Sequence, residues 1–507
     1  MKKDIPSNYL FILVAASAVG KSILVNQICE EGLWQKAPKY STRNNRDVGE
    51  KKEDDVLKID DEKIDERKDI SDEQRKKNAE IRLARMRKLT ELCGDGNGTV
   101  YYKNDNIYGI SICEIIDRLE QTHLAVIISD FHVIDKLRAD ERLKNRIKVM
   151  YLASTIDEKL LFERFKEREK KQYQEELQKM TKTINVIQDK IMILPSAIRL
   201  QYASKIDDIV RSVSDEWNTN FSSYETVKTR SLNIRMLYNR YIDNIKTIDY
   251  AVLNFYDLEY MYKQVRNILK NIQPKREINT ANPPIFMVCA AKSSGKATLM
   301  EIVGDMGTVH NNIVITTKYA KRASRPTDGR DGMKAIGKEG KFEDYIDKKD
   351  IWKWSFHNDN REFAVSRKEI NDNIEKGIAQ IFISNMNVIE DAKKFYPDNI
   401  VVLYLHATHE SATLNHIHKK NTHDLMVEIK KEHGDYTDEQ VKEEFDNNPK
   451  IQAQFRESVE RDKKDIIEVH NAFCEHNINT DHVLLNTGSR EDLIEQMTNL
   501  INYYTKK

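Results

Sequence analysis

The chain repeats itself, and no other feature restricts its fold as much. The stretch YLFILVAASAVGKSILVNQI from Tyr9 returns as PIFMVCAAKSSGKATLMEIV from Pro284. Further on, AVIISDFHVIDKLR from Ala125 is matched by QIFISNMNVIEDAK from Gln380, and IKVMYLAST from Ile147 by NIVVLYLHAT from Asn399. Near the end of each copy, IDYAVLNFYDLEYMYKQVRNIL from Ile248 pairs with TDHVLLNTGSREDLIEQMTNLI from Thr480. Matches that keep one order along both halves identify a duplication. Each copy alternates short β-branched, apolar runs with helical patterns, the signature of a parallel sheet covered by helices. At 507 residues the chain exceeds what one ordinary core holds, so two domains are expected. They are residues 1–272 and 284–507, joined across 273–283, where Pro274 and Pro283, followed by Pro284, sit among polar residues.

Two insertions stretch the first copy. One, about 50–98, is highly charged, with a helical pattern from Asp72 to Leu92 that ends at the turn signal GDGNG. The other, about 166–246, has apolar residues at helical spacing on both sides of Pro195 and predicts a long helical hairpin, a surface for packing, self-association or a protein partner. The 82 basic and 82 acidic side chains cancel, which argues against a chain whose main business is nucleic acid. Cys29, Cys93, Cys113, Cys289 and Cys474 are scattered, with no CxxC pair. They read as reduced thiols rather than as a disulfide frame or a zinc site. The apolar run Tyr9–Val19 ends in Gly-Lys-Ser and is too short to cross a membrane, so it reads as a buried strand, and a cytoplasmic, membrane-free protein is expected.

The residues after that strand carry chemistry. A phosphate loop, GxxxxGK[ST], turns successive backbone N–H groups toward phosphates, bridges the outer phosphates with its lysine and holds Mg²⁺ with its hydroxyl. The first copy offers Ala15-Ala16-Ser17-Ala18-Val19-Gly20-Lys21-Ser22, with only the leading glycine altered. The second offers Ala290-Ala291-Lys292-Ser293-Ser294-Gly295-Lys296-Ala297, where the hydroxyl position holds alanine and Thr298 comes one residue late. A one-residue shift at a helix start turns a side chain by about 100°. The fold class is therefore α/β, with two P-loop NTPase-type parallel sheets flanked by helices, the first repeat bearing the hairpin insertion.

With these loops, both copies resemble the guanylate kinase family, which transfers a phosphoryl group from ATP to GMP. The resemblance covers most of the chain outside the two insertions. The family holds its acceptor phosphate with an R-x-x-R pair, matched by Arg43 and Arg46 in the first copy and by Arg322 and Arg325 in the second. Its Tyr-Gly-x-Ser element, which contacts the acceptor, appears as Tyr108-Gly109-Ile110-Ser111 and, altered, as Phe363-Ala364-Val365-Ser366. Lid arginines that neutralise the phosphates in flight correspond to Arg164 and Arg168, with Arg230 available from the far side of the hairpin. The second copy has Leu414-Asn415-His416-Ile417-His418-Lys419-Lys420 there, leaving Arg456 and Arg461.

The family reads guanine with carboxylates, one shortly before the Tyr-Gly-x-Ser element and one on the strand expected at Ile127–Phe131. Thr99-Val100-Tyr101-Tyr102 and Trp352-Lys353-Trp354 offer none at the first place; at the second, Asp130 is matched by Asn385. The resemblance thus implies ATP and Mg²⁺ as cofactors and a nucleoside monophosphate or related phosphate as acceptor. Lys21, Arg164, Arg168 and Arg230 would be catalytic. Ala15, Ser17, Gly20, Lys21, Ser22, Gly295, Lys296 and Thr298 would bind ATP, with Ser22 on the metal. Arg43, Arg46, Tyr108, Ser111, Asp130, Arg322, Arg325 and Ser366 would bind the acceptor. The first copy is expected to do the work, with the second degenerate or regulatory. Two other readings stay open: a non-catalytic scaffold that binds a protein or phosphopeptide in the acceptor cleft, and a P-loop subunit of a nucleic-acid end-processing or regulatory assembly.

Overall fold

The computed structural model describes residues 8–15, 19–42, 57–58, 71–94, 96–103, 106–128, 130–153, 241, 244, 247–254, 258–272, 281–310, 313–324, 328–329, 332–355, 362–407, 410–486 and 489–505. The first repeat opens with β1 (Leu10–Val14), α1 (Lys21–Glu30), β2 (Gln35–Lys36), β3 (Lys39–Ser41) and β4 (Leu57–Lys58). It continues through α2 (Asp72–Cys93), β5 (Gly98–Lys103), β6 (Asn106–Ser111), α3 (Ile112–Leu119), β7 (Leu124–Ile127) and α4 (Phe131–Ala139). It closes with β8 (Ile147–Ala153), β9 (Tyr250–Leu253) and α5 (Leu258–Lys270). The second repeat runs β10 (Ile285–Ala290), α6 (Lys296–His310), β11 (Ile313–Ile315), β12 (Lys318–Ala320), β13 (Met333–Ala335), β14 (Ile351–Ser355) and β15 (Glu362–Ser366). Then come α7 (Arg367–Glu375), β16 (Ala379–Ser384), α8 (Ile389–Phe395) and β17 (Ile400–Ala407). The helices α9 (Glu410–Glu432), α10 (Asp438–Asn447) and α11 (Pro449–His476) precede β18 (His482–Asn486) and α12 (Arg490–Thr505).

The duplication seen in sequence is a duplication of topology. The strands order as β2-β7-β1-β8-β9 in one sheet and β11-β16-β10-β17-β18 in the other. Every pairing defined in them is parallel. Each repeat adds a four-stranded side sheet, β4-β3-β6-β5 and β13-β12-β15-β14. The chain is mixed α/β, with two parallel sheets flanked by helices, as P-loop NTPases are built. β1 and β10 occupy the centre of their sheets and are buried throughout, which is why they read as unbroken apolar runs rather than alternating ones.

Edge strands are closed by the same device in both copies. Buried Gln264 on α5 accepts from the Leu253 N–H at 2.8 Å and donates to the Leu253 carbonyl at 2.8 Å. Buried Gln496 on α12 does the same to Leu485, at 2.8 and 2.9 Å. A primary amide presents one donor and one acceptor side by side, so it stands in for a further strand at these backbones. The two glutamines occupy matching positions of the duplicated C-terminal segments.

The expected helix at Asp72–Leu92 is α2. Ser71 caps it by accepting from the Gln74 N–H at 3.2 Å, Asp72 and Glu73 complement its N-terminal dipole, and Gly94 ends it. Its inner stripe, Ile81, Arg85, Leu89 and Cys93, is buried. The hairpin expected at 166–246 lies, but for residues 241 and 244, outside the described residues. At the corresponding position of the second repeat, between β17 and β18, the chain forms α9–α11. The strand expected at Ile127–Phe131 ends earlier: β7 stops at Ile127, and Asp130 is the N-cap of α4, accepting from the His132 N–H at 3.0 Å. Aspartate one residue before a helix satisfies an orphan N–H, which a strand position would not allow.

Contacts group residues 1–150 with 157–241, and residues 151–156 with 242–507. In the second of these units α5 packs on α11: Lys263 pairs with Glu475 at 3.3 Å, and Asn267 donates to the Glu475 carbonyl at 2.9 Å and to the Asn477 Oδ1 at 2.8 Å. Among the described residues no helix is long and apolar enough to cross a membrane.

Candidate active site

Each Gly-Lys loop leaves a buried central strand and enters a helix through a glycine in the left-handed region. Gly20 has φ 96° and ψ 13° at the N-terminus of α1, and Gly295 has φ 99° before α6. Only glycine takes that conformation without strain. At Gly295 a second reason applies, because an added Cβ would sit 2.3 Å from the Asn486 Nδ2, which itself donates to the Ser294 carbonyl at 2.9 Å. Asn486 at the end of β18 thereby ties the loop to its sheet. The alanines replacing the leading glycine cost no such strain, since Ser293, at φ 60°, is the one non-glycine of positive φ among the described residues. Ala15 and Ala290 are buried instead, as a small apolar side chain at a strand end can be.

The loop lysines fold onto their own loops. Lys21 Nζ donates to the Ala15 carbonyl at 3.3 Å; Lys296 Nζ donates to the equivalent Ala290 carbonyl at 3.2 Å and to the Ala291 carbonyl at 2.5 Å. Burial and the nearby Lys420 and Lys292 ammonium groups bring Lys296 down to about 8. In the first turn of α1, Ser22 is exposed and free to meet a ligand; in α6 that exposed position is Ala297, and Thr298 is half-buried. Ser17 lies outside the described residues.

In each repeat a lysine ties the side sheet to the main sheet, and the side-sheet registers give the equivalences. Ser41 pairs with Tyr108 and Ala320 with Phe363; Tyr101 pairs with Tyr108 and Trp354 with Phe363. In the first repeat the Tyr101 and Tyr108 rings stack, centroids 5.4 Å apart at 18°, and Lys39 Nζ lies 5.2 Å from the Tyr108 centroid. Burial, then the neighbouring Tyr108 and Asp130, push the Tyr101 phenol up. Lys39 also donates to the Ile127 carbonyl at 2.8 Å, bridging the side sheet to the end of β7. The second repeat keeps the lysine and loses the hydroxyls. Lys318 Nζ donates to the Ile383 carbonyl at 3.1 Å and lies 5.0 Å from the Phe363 centroid, while Trp354 stacks on Phe363 at 6.3 Å.

Ser111 and Ser366 cap α3 and α7, accepting from the Glu114 and Glu369 N–H groups. The glutamates face back to the side sheets: Glu114 accepts from the Tyr40 hydroxyl at 2.7 Å, and Glu369 from the Thr317 N–H at 2.9 Å. Burial and Glu114 push the Tyr40 phenol up, and burial raises Glu369. These S-x-x-E pairs, and the lysine placed four residues before Arg43 and Arg322, were available from the aligned repeats.

Gly109 serves packing. A Cβ there would meet the Cys93 Sγ at 2.7 Å and the Leu89 Cγ at 3.1 Å, both on α2. In the second repeat the matching Ala364 lies under Phe342 and Ile346 instead, and a methyl group fits. From the same helix, buried Arg85 donates to the Thr42 carbonyl at 2.9 Å, next to Arg43. Arg43, Arg46, Arg164, Arg168, Arg230 and Arg325 lie outside the described residues. Arg322 is gripped by Asp328 through both Nη atoms. Asn385 donates to the Ser355 carbonyl at 3.3 Å, which orients its amide, and its Oδ1 and the neighbouring Ser384 Oγ are buried without a hydrogen-bond partner.

Beside the second loop lies a cavity of about 360 Å³, floored by Ala291, Lys292 and Ser294 and walled by Tyr260, Leu414, Ile467 and His470, among others. Burial holds His406 at about 3 and His470 at about 4, so both line it as neutral imidazoles.

No family model and no curated protein matches the chain. Among solved structures, the guanylate kinase from Anaplasma phagocytophilum is similar at 14% identity and a TM-score of 0.28, over 45% of this chain and 88% of that one. A superposition of that quality carries no weight; the fold rests on the strand orders and registers above.

Proposed function

We propose that the first repeat catalyses ATP-dependent phosphoryl transfer to a nucleoside monophosphate or a related phosphate acceptor, and that the second repeat is a degenerate or regulatory copy. One observation carries this: Gly20, Lys21 and an exposed Ser22 follow the central strand of a parallel sheet, beside a side sheet carrying Lys39, Tyr108 and Ser111. Lys21 would leave its internal carbonyl for the outer phosphates, and the Ser22 hydroxyl would hold Mg²⁺, which neutralises phosphate charge when bound. A phosphate-oxygen nucleophile is already ionised, so positioning and charge neutralisation supply the catalysis. Arg43 and Arg46 would hold the acceptor, and Arg164, Arg168 and Arg230 would close over the phosphates. The acceptor need not be guanine, because Asp130 spends an oxygen on its own helix and the stretch Thr99-Val100-Tyr101-Tyr102 carries no carboxylate.

For the second repeat alone, a non-catalytic role is favoured by Ala297, the hydroxyl-free Trp354–Phe363 pair and the Arg322–Asp328 fork. The test is a phosphoryl-transfer screen over nucleoside monophosphates and sugar phosphates with Mg·ATP. Product is expected from the wild type and from Lys296→Ala, and about 10²–10³-fold more slowly from Lys21→Ala. Absence of any ATP-dependent thermal shift, with no product across the panel, would sink the kinase reading.

A further inference from the structure

The second phosphate loop carries a lysine that the first lacks. Lys292 occupies the position of Ser17, and its ammonium group is held by α11. It pairs with Asp462 and, at 3.7 Å, with Asp465. The Asp462 side chain is 3% exposed, and its other oxygen accepts from the Asn421 Nδ2 of α9 at 3.1 Å. Asn421 also donates to the Ile417 carbonyl at 2.9 Å. A carboxylate this buried is stable only while its partners stay in place. Lys296, folded onto the Ala290 and Ala291 carbonyls, feels the positive charges of both Lys292 and Lys420.

Mg²⁺ does not fit this loop as it would fit the first. Its hydroxyl position is Ala297, and Thr298 is turned about 100° round α6. The charge that a metal would supply is supplied by lysines, and the anion beside the loop is the protein's own carboxylate pair. We propose that the second phosphate loop is a metal-independent site for a polyphosphate anion, latched by Asp462, so that a phosphate enters by displacing the carboxylate from Lys292 and freeing α11. The proposal rests on the reading of residues 290–297 as a phosphate loop. The polyphosphate is free or belongs to a nucleotide, since lysines and backbone N–H groups read only the phosphates.

The test uses the full chain with Lys21→Ala, which silences the first loop. Calorimetric titrations with inorganic tripolyphosphate and with ATP are run side by side in EDTA and in Mg²⁺. Binding of either in EDTA is expected, the tighter one naming the source of the phosphates, with affinity raised about tenfold by Asp462→Asn and lowered about tenfold by Lys292→Met. Binding only in Mg²⁺, or an Asp462→Asn protein that melts normally and binds no more tightly, overturns the proposal while leaving the phosphate-loop reading intact. No heat from any variant under either condition removes that reading as well. Should Asp462→Asn fail to fold, hydrogen exchange on the unsubstituted residue decides: tripolyphosphate should speed exchange across 455–470, and unchanged or slowed exchange there overturns the latch.

Discussion

The two side sheets share a strand order and a register, yet they present different chemistry. In the first, α2 lies over β6, forces glycine at position 109 and leaves a stacked tyrosine pair under Lys39. In the second, a short turn through Phe342 and Ile346 replaces the helix, the glycine becomes Ala364 and the aromatic pair is Trp354 on Phe363. The lysine, the capping serine and the half-buried glutamate persist in both. What persists is what ties the side sheet to the main one. What diverges is what would touch an acceptor. Duplicated domains can keep a scaffold whole while one copy loses its chemistry, because framework and ligand contacts sit on different residues.

The sharpest way to break this comparison is at the loop lysines. Lys21→Ala should lower turnover by about 10²–10³-fold, the scale of one lost electrostatic contact in the transition state, and Lys296→Ala should leave it near wild type; equal losses would end the asymmetry. The next effect is pH-dependent and belongs to the second unit, because His406 replaces the first repeat's Ala153. The folded His406 and His470 resist protonation to about 3 and 4. The unfolded chain takes up protons below about 6.5. Stability is therefore full above that pH and falls as pH drops toward the folded values, by at most about 1.4 kcal/mol per pH unit for each histidine. Urea denaturation between pH 7 and pH 4 should show the fall, and His470→Gln should flatten it.

Symmetry is probed at the edge clamps. Gln264→Leu and Gln496→Leu each strip a backbone N–H and carbonyl of their partners, at a cost of about 2 kcal/mol, and calorimetric unfolding should report similar losses; a large difference would mean the framework has also diverged. Gly109→Ala should cost about 1–2 kcal/mol by overpacking against Cys93, and adding Cys93→Ala should recover part of it, measured as a double-mutant cycle. The smallest effect is expected at Tyr108→Phe, which makes the first side sheet resemble the second. It should weaken acceptor binding several-fold, on the order of 1 kcal/mol, with little change in melting temperature.

Helix α2, the central strands and the Gly-Lys turns were legible because they are local: a cap, a stripe at i+4 spacing or a glycine before lysine is written within a few residues. Asp130 was misplaced by the same locality, since an apolar run ending at Ile128 looks like strand until a helix N–H is found to need its carboxylate. Lys39 and Gln264 were present in the aligned repeats but carried no motif, and Glu114 stood in an S-x-x-E pair that announces only a helix cap. Their partners lie elsewhere in the chain, as the Lys39–Ile127 bridge shows.

By itself the sequence determined that this chain is a duplication of one α/β unit and that each copy runs from a buried strand through a Gly-Lys turn into a helix, because strand burial, helix capping and left-handed glycine are demands of neighbouring residues. The tertiary structure decided the rest. It made the leading alanines strain-free, assigned Gly109 to the packing of α2, and set Asp462 against Lys292 across 170 positions of chain. Those outcomes depend on which surfaces meet when the sheet closes, and no local pattern encodes that meeting.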